Sequence, residues 1–104
     1  PAWLAPVQVK VLPISDKTMD YAQEVYAQLK AAGIRAELDT RTEKIGFKIR
    51  EAQVEKVPYM LVCGPKEAES ATVSVRGRKA GDLGSQALGE FIAALQQEIA
   101  EKRA

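Results

Sequence analysis

The sequence predicts a three-layer α/β/α domain built on a mixed sheet, and three observations carry that class. Strand-like and helix-like patterns alternate through the first half of the chain. Residues 57–63 (VPYMLVC) are almost continuously apolar, and the last twenty residues hold the clearest amphipathic helix. Strands separated by helices run parallel in one sheet with helices on its faces, and a continuous apolar run marks a strand covered on both sides.

The elements follow in order. Val7, Val9 and Val11 alternate with Gln8 and Lys10 until Pro13, which cannot donate to a ladder, so this is a first strand. Asp16 or Thr18 can cap the next segment, where Ala22, Val25, Tyr26 and Leu29 recur at helical spacing until Gly33 ends the helix. Arg35 to Asp39 alternates again, giving a second strand. Thr40 and Glu43 have capping-box spacing, and Ile45, Ile49 and Ala52 line a second helix ending near Glu55. Gly46 inside it costs about 1 kcal/mol against Ala, which points either to close approach of another backbone or to a weakened helix.

Val57 to Cys63 is the expected central strand. Gly64-Pro65 breaks it, the polar KEAES segment turns the chain, and Thr72 to Arg76 returns as an antiparallel partner. Gly77 to Gly84 is glycine-rich, with at most a very short edge strand at 82–84. Ser85 is the expected cap of a last helix with Leu88, Phe91, Ile92, Leu95 and Ile99 on one face.

Composition removes several classes of chemistry. With no histidine and one cysteine among 104 residues, there is no Ser-His-Asp or Cys-His system, no internal disulfide and no structural zinc set. No nucleotide-cradling glycine motif follows the first strand, which leads into ISDKT. No apolar run approaches the roughly 20 residues that span a bilayer, so no membrane partner is expected. Asp16, Glu37 and Asp39 at strand ends read as caps and solvated edges rather than a metal site. Cys63, in the most apolar strand and lacking a Cys-x-x-Cys partner, reads as a buried inert thiol rather than a thioredoxin-like one. The chain starts without Met, and the reading of residues 1–104 is one domain of something larger.

The charge distribution is more informative than its sum of +1. Arg41, Lys44, Lys48, Arg50 and Lys56 lie in or beside the second helix. Arg76, Arg78 and Lys79 close the hairpin, while the last helix carries Glu90, Glu98 and Glu101. With the strands in order 2-1-3-4, the start of the second helix, the hairpin loop and the 76–79 segment border a common surface. Such a surface suits single-stranded RNA, with Lys and Arg on phosphates and Glu67 accepting from a base amino or imino group. A solvated face with helical charge pairs accounts for the same residue types.

Longer motifs discriminate further. Residues 3–14 (WLAPVQVKVLPI), 33–53 (GIRAELDTRTEKIGFKIREAQ), 56–64 (KVPYMLVCG), 73–78 (VSVRGR) and 82–84 (DLG) together resemble the C-terminal anticodon-binding domain of bacterial threonyl-tRNA synthetases. The resemblance runs from Trp3 to about Leu95. It implies a five-stranded mixed sheet in order 2-1-3-4-5 with strand 4 antiparallel. It also implies recognition of the second and third anticodon bases, G and U, of threonine tRNA and not of DNA. By the same resemblance Glu67 and Arg76 match base-reading positions and Arg50 a nearby RNA-contacting arginine.

Thr42 stands where the family often has Asn, so a hydroxyl replaces part of an amide's pairing. Lys56 stands where some members have Arg, keeping the charge without the planar fork. Lys44, Lys48, Arg78 and Lys79 are the candidate phosphate contacts. A cytoplasmic homodimeric parent enzyme is implied, charging tRNA with threonine through ATP, Mg and an active-site zinc. No cofactor and no catalytic residue are expected in this domain. The alternative is an interaction or regulatory domain of the same fold that has lost tRNA binding.

Overall fold

A computed structural model describes residues 4–41, 43–78 and 81–101. Strand β1 (Val9–Pro13) leads through a 3-10 turn (Asp16–Thr18) into helix α1 (Met19–Ala31), followed by β2 (Ala36–Leu38) and α2 (Ile45–Val54). Then come β3 (Tyr59–Cys63), a short helix α3 (Pro65–Ser70), β4 (Thr72–Gly77), β5 (Gly81–Ala87) and α4 (Leu88–Ala100). The five strands form one sheet in order β2-β1-β3-β4-β5. β1 is parallel to β2 and β3, and β4 is antiparallel to both β3 and β5. The expected architecture is therefore the observed one, with β3 central.

Alternate residues divide the sheet into two faces. Val9, Val11, Leu61, Cys63, Val73 and Val75 form one core with Ala22, Val25 and Leu29 of α1 and Leu88, Phe91 and Leu95 of α4. On the other face Leu12 and Met60 pack with Val57 and with Ile45, Ile49 and Ala52 of α2. At about 25 cal/mol per Å² of apolar surface, each fully buried Val or Leu contributes roughly 1.5–3 kcal/mol, so the larger core anchors the domain. On the α2 side, the β4 side chains of Ser74 and Arg76 are left half-buried.

Local details depart from expectation where side chains or pairing override propensity. The KEAES segment is helical, not a turn: Gly64 is extended, Pro65 opens α3, and the Glu67 carboxylate accepts a hydrogen bond from the Gly64 N–H at 2.8 Å. That is the reciprocal half of a capping box. Ala71, at φ 55°, ends the helix in the left-handed region. The Thr40–Glu43 capping box does not form. The Asp39 carboxylate instead turns the chain by accepting the Arg41 N–H at 3.0 Å, and α2 starts only after Lys44. Ser85 is no cap, because backbone pairing with β4 carries β5 through to Ala87, with a bulge near Arg76 and Gly84 at φ 82°. Nothing lies within 4 Å of a Cβ placed on Gly46, so close packing does not explain that glycine.

Among the described residues no helix is long and apolar enough to cross a membrane.

Candidate nucleic-acid interface

The direction of α2 organises the basic residues. Lys48, in its first turns, donates from Nζ to the Pro13 carbonyl at 3.1 Å, at the C-terminal end of β1. Glu55, just past its end, pairs with Lys10 near the start of β1 at 2.6 Å. The helix therefore runs antiparallel to β1. Lys44, at its start, is exposed beside a cleft of about 280 Å³ at the C-terminal rim of β1, lined by Ile14, Ser15, Met19, Arg41 and Lys48 among others. Lys56, past its end and at φ 63°, is exposed at the opposite rim, where the Arg78 N–H donates to the Pro58 carbonyl at 2.9 Å.

Glu67 and Arg76 are likewise set at the two ends of β3. Arg76 sits across from Met60, whereas Glu67 follows Cys63, three residues or roughly 10 Å further along the strand. A single common surface for the α2 start, the β3–β4 connection and the 76–79 segment is thus divided: the first two share one rim, and Arg76 and Arg78 occupy the other. Arg50 is exposed between them on α2. Thr42 and Lys79 lie outside the described residues.

Glu67 is half-buried, and its Gly64 bond fixes the carboxylate while leaving lone pairs on both oxygens for a further donor. A Cβ on Gly64 would come within 2.6 Å of Ile14 Cδ1 and 2.7 Å of Glu67 Oε1, so only glycine fits there without displacing both. Ile14 joins this contact to the cleft, of which it forms one wall.

The burial of Lys48 corrects the expectation of a phosphate-facing lysine. Only 2% exposed, it points under α2 with Ile45, Ile49 and Ala52 and is held by the Pro13 carbonyl. Its place on that apolar stripe was legible at helical spacing. Arg41, which sequence reasoning grouped with the basic face, is also engaged within the chain. Its Nε and Nη2 donate to Asp39 at 3.0 and 2.7 Å, and its Nη1 donates to Glu51 at 2.6 Å. These hydrogen bonds hold the buried Asp39 carboxyl below its ordinary range, against the cost of burial.

Lys10 is buried between Glu55 and Glu37. Desolvation lowers its pKa, but the hydrogen bond to Glu55 and the nearby carboxylates outweigh this and raise it. Burial pushes the Cys63 thiol up to about 12, with the Glu67 charge adding to the shift, leaving it unreactive as a thiolate. Among the described residues no group of three or more His, Cys, Asp or Glu could hold a metal ion.

A family model for the anticodon binding domain matches residues 8–98. The chain belongs to that family. This anticodon-binding domain is 59% identical over 102 residues to a threonine–tRNA ligase of Syntrophomonas wolfei, covering 98% of the chain and 16% of that relative. It is 64% identical over 99 residues to the threonine–tRNA ligase of Clostridioides difficile, covering 95% and 16%. The chain thus spans about a sixth of the length of these curated relatives. The RNA binding domain of threonyl-tRNA synthetase from Cryptosporidium parvum has the same fold, with a TM-score of 0.88 at 35% identity over 93% of this chain and 24% of that one. A prolyl-tRNA synthetase from the same organism superposes at 0.83 with 27% identity, covering 94% and 21%. The resemblance to the anticodon-binding domain of threonyl-tRNA synthetases holds across nearly the whole domain.

Proposed function

We propose that this domain reads the anticodon of threonine tRNA, distinguishing its second and third bases, G and U, for a threonine–tRNA ligase of which it is one part. One observation carries the assignment of the site. In the β1–α2 region the buried cations Lys10 and Lys48, and the more exposed Arg41, are each engaged by a protein acceptor. Arg76 is half-buried and, among the described residues, has no such partner. A guanidinium desolvated in part and left unpaired is costly unless an external acceptor completes it. The carbonyl-rich edges of uracil and guanine are such acceptors.

At the other end of β3, Glu67 supplies the complementary chemistry. Its pre-oriented carboxylate accepts from the imino and amino groups of a guanine, and ordering it before binding lowers the entropy lost on recognition. Arg50, Lys56 and Thr42 are the further anticodon contacts of this reading, and Lys44, Arg78 and Lys79 hold phosphates. Lys48 is withdrawn from that set by its burial.

In the parent enzyme, ATP with Mg would drive charging with threonine, a zinc ion would select the amino acid, and the assembly would be a cytoplasmic homodimer. Among the described residues no cluster of His, Cys, Asp or Glu would hold a metal, and no step here depends on one. Binding energy gathered at the anticodon positions the distant acceptor end in a catalytic core elsewhere.

Alanine at Glu67 or at Arg76 tests this directly. Each costs about 1–3 kcal/mol in discrimination between cognate and substituted anticodon stem-loops, read by fluorescence anisotropy. Unchanged discrimination in both variants removes the site assignment.

A further inference from the structure

We propose that the guanidinium of Arg41 is a stacking platform for a nucleobase of the bound RNA loop, an inference that rests on the anticodon-reading function above. The side chain is fixed in its own plane from two sides: Asp39 takes Nε and Nη2 and Glu51 takes Nη1, at 2.6 to 3.0 Å. The Asp39 carboxylate is itself 2% exposed and cannot swing away. The guanidinium carbon also stands over the Phe47 ring, 5.6 Å from its centroid. Yet the Arg41 side chain remains 42% exposed and lines the cleft beside Ile14 and Met19.

The charge balance decides what this exposed plane can receive. Arg41 is matched by two carboxylates, and the Lys48 ammonium also acts on Asp39, so the charges of the cluster balance within the chain and it offers phosphate no free cation. What it offers is a flat, polarizable, weakly hydrated surface, which is the surface that unstacked bases pair with in single-stranded RNA recognition. The plane is held before the ligand arrives, so stacking immobilises no further rotamer of the protein. The cleft, near 280 Å³, is just below the roughly 300–1,000 Å³ of small-ligand sites, and is bordered by Ile14, itself 40% exposed.

The experiment uses the 104-residue chain with threonine tRNA anticodon stem-loops carrying an abasic site at each loop position in turn. Arg41→Lys keeps the charge and the Asp39 pair but loses the plane. On the wild-type chain one abasic RNA binds about tenfold more weakly than the intact loop, and on Arg41→Lys that difference disappears, while the salt dependence of binding is unchanged. On the wild-type chain alone, the Arg41 Nε–Hε NMR resonance moves upfield on RNA binding through the ring current, and returns when that same base is removed. This second readout stands even if Arg41→Lys does not fold. Binding without coupling at any loop position, or a resonance that RNA leaves in place, overturns the stacking proposal alone. Failure of the wild-type chain to bind the intact stem-loop overturns the anticodon reading and this proposal with it.

Discussion

Gly64→Ala separates the reading of bases from the stability of the fold. Its Cβ would stand 2.6 Å from Ile14 Cδ1 and 2.7 Å from Glu67 Oε1, where ordinary contact begins at 3.4 Å. Both side-chain ends must withdraw by about 0.7 Å or more to restore van der Waals contact. For the Glu67 oxygen, now 2.8 Å from the Gly64 nitrogen, that movement ends the capping hydrogen bond. Losing the bond costs about 1 kcal/mol. Alanine is compatible with the extended backbone at φ −107° and restores about 0.4–1 kcal/mol by restricting the unfolded chain.

The net change in stability is therefore within about 1 kcal/mol, measured by urea unfolding. Discrimination for the anticodon, in contrast, falls by the roughly 1–3 kcal/mol of a base contact, about 5- to 150-fold in relative Kd, because the carboxylate is no longer aimed. A variant that unfolds at the wild-type midpoint and keeps full discrimination would refute the role of the capped Glu67. A loss of stability of several kcal/mol would refute the packing argument.

Two further predictions separate the charged groups. Lys44→Gln lowers the salt slope of RNA binding by about one, as loss of an exposed phosphate contact does, while Lys48→Met leaves it unchanged because that ammonium is buried against Pro13. Titrations between low and moderate salt decide between these outcomes. Asp39 has a folded pKa below its unfolded value near 3.9, so the unfolded chain binds the extra proton first as pH falls. Its stabilising contribution is complete above that value and is lost as pH descends through the lower folded pKa. Urea midpoints at pH 5 and pH 3 differ less in Asp39→Asn than in wild type, and equal differences would contradict the assignment.

How much the sequence disclosed follows from the kind of force that made each element. The central strand, α1 and α4 bury apolar residues at a regular period, and periodicity reports burial directly. α3 escaped because six residues opened by Gly-Pro hold too few turns for a period, and a single carboxylate bond starts the helix. β5 escaped for a related reason: it is almost wholly exposed, and backbone pairing to β4 specifies it rather than any side-chain pattern.

The site divides the same way. The carboxylate at 67 suited base reading and the family resemblance added Arg76, but the contact that aims Glu67 joins Gly64 to Ile14, fifty residues apart and invisible locally. Lys48 carried a signal, since it shares a helical stripe with Ile45, Ile49 and Ala52. Arg41 carried another in its spacing from Asp39. Neither residue type shows that its charge is already balanced or enclosed.

Binding of the wild-type chain to a threonine tRNA anticodon stem-loop, against the same loop with the second and third anticodon bases replaced, tests the central claim most directly. The account predicts that each replacement weakens binding by about 1–3 kcal/mol at fixed salt. Equal affinity for all loops, with only a common salt dependence, would contradict it and leave a basic surface without a reading function.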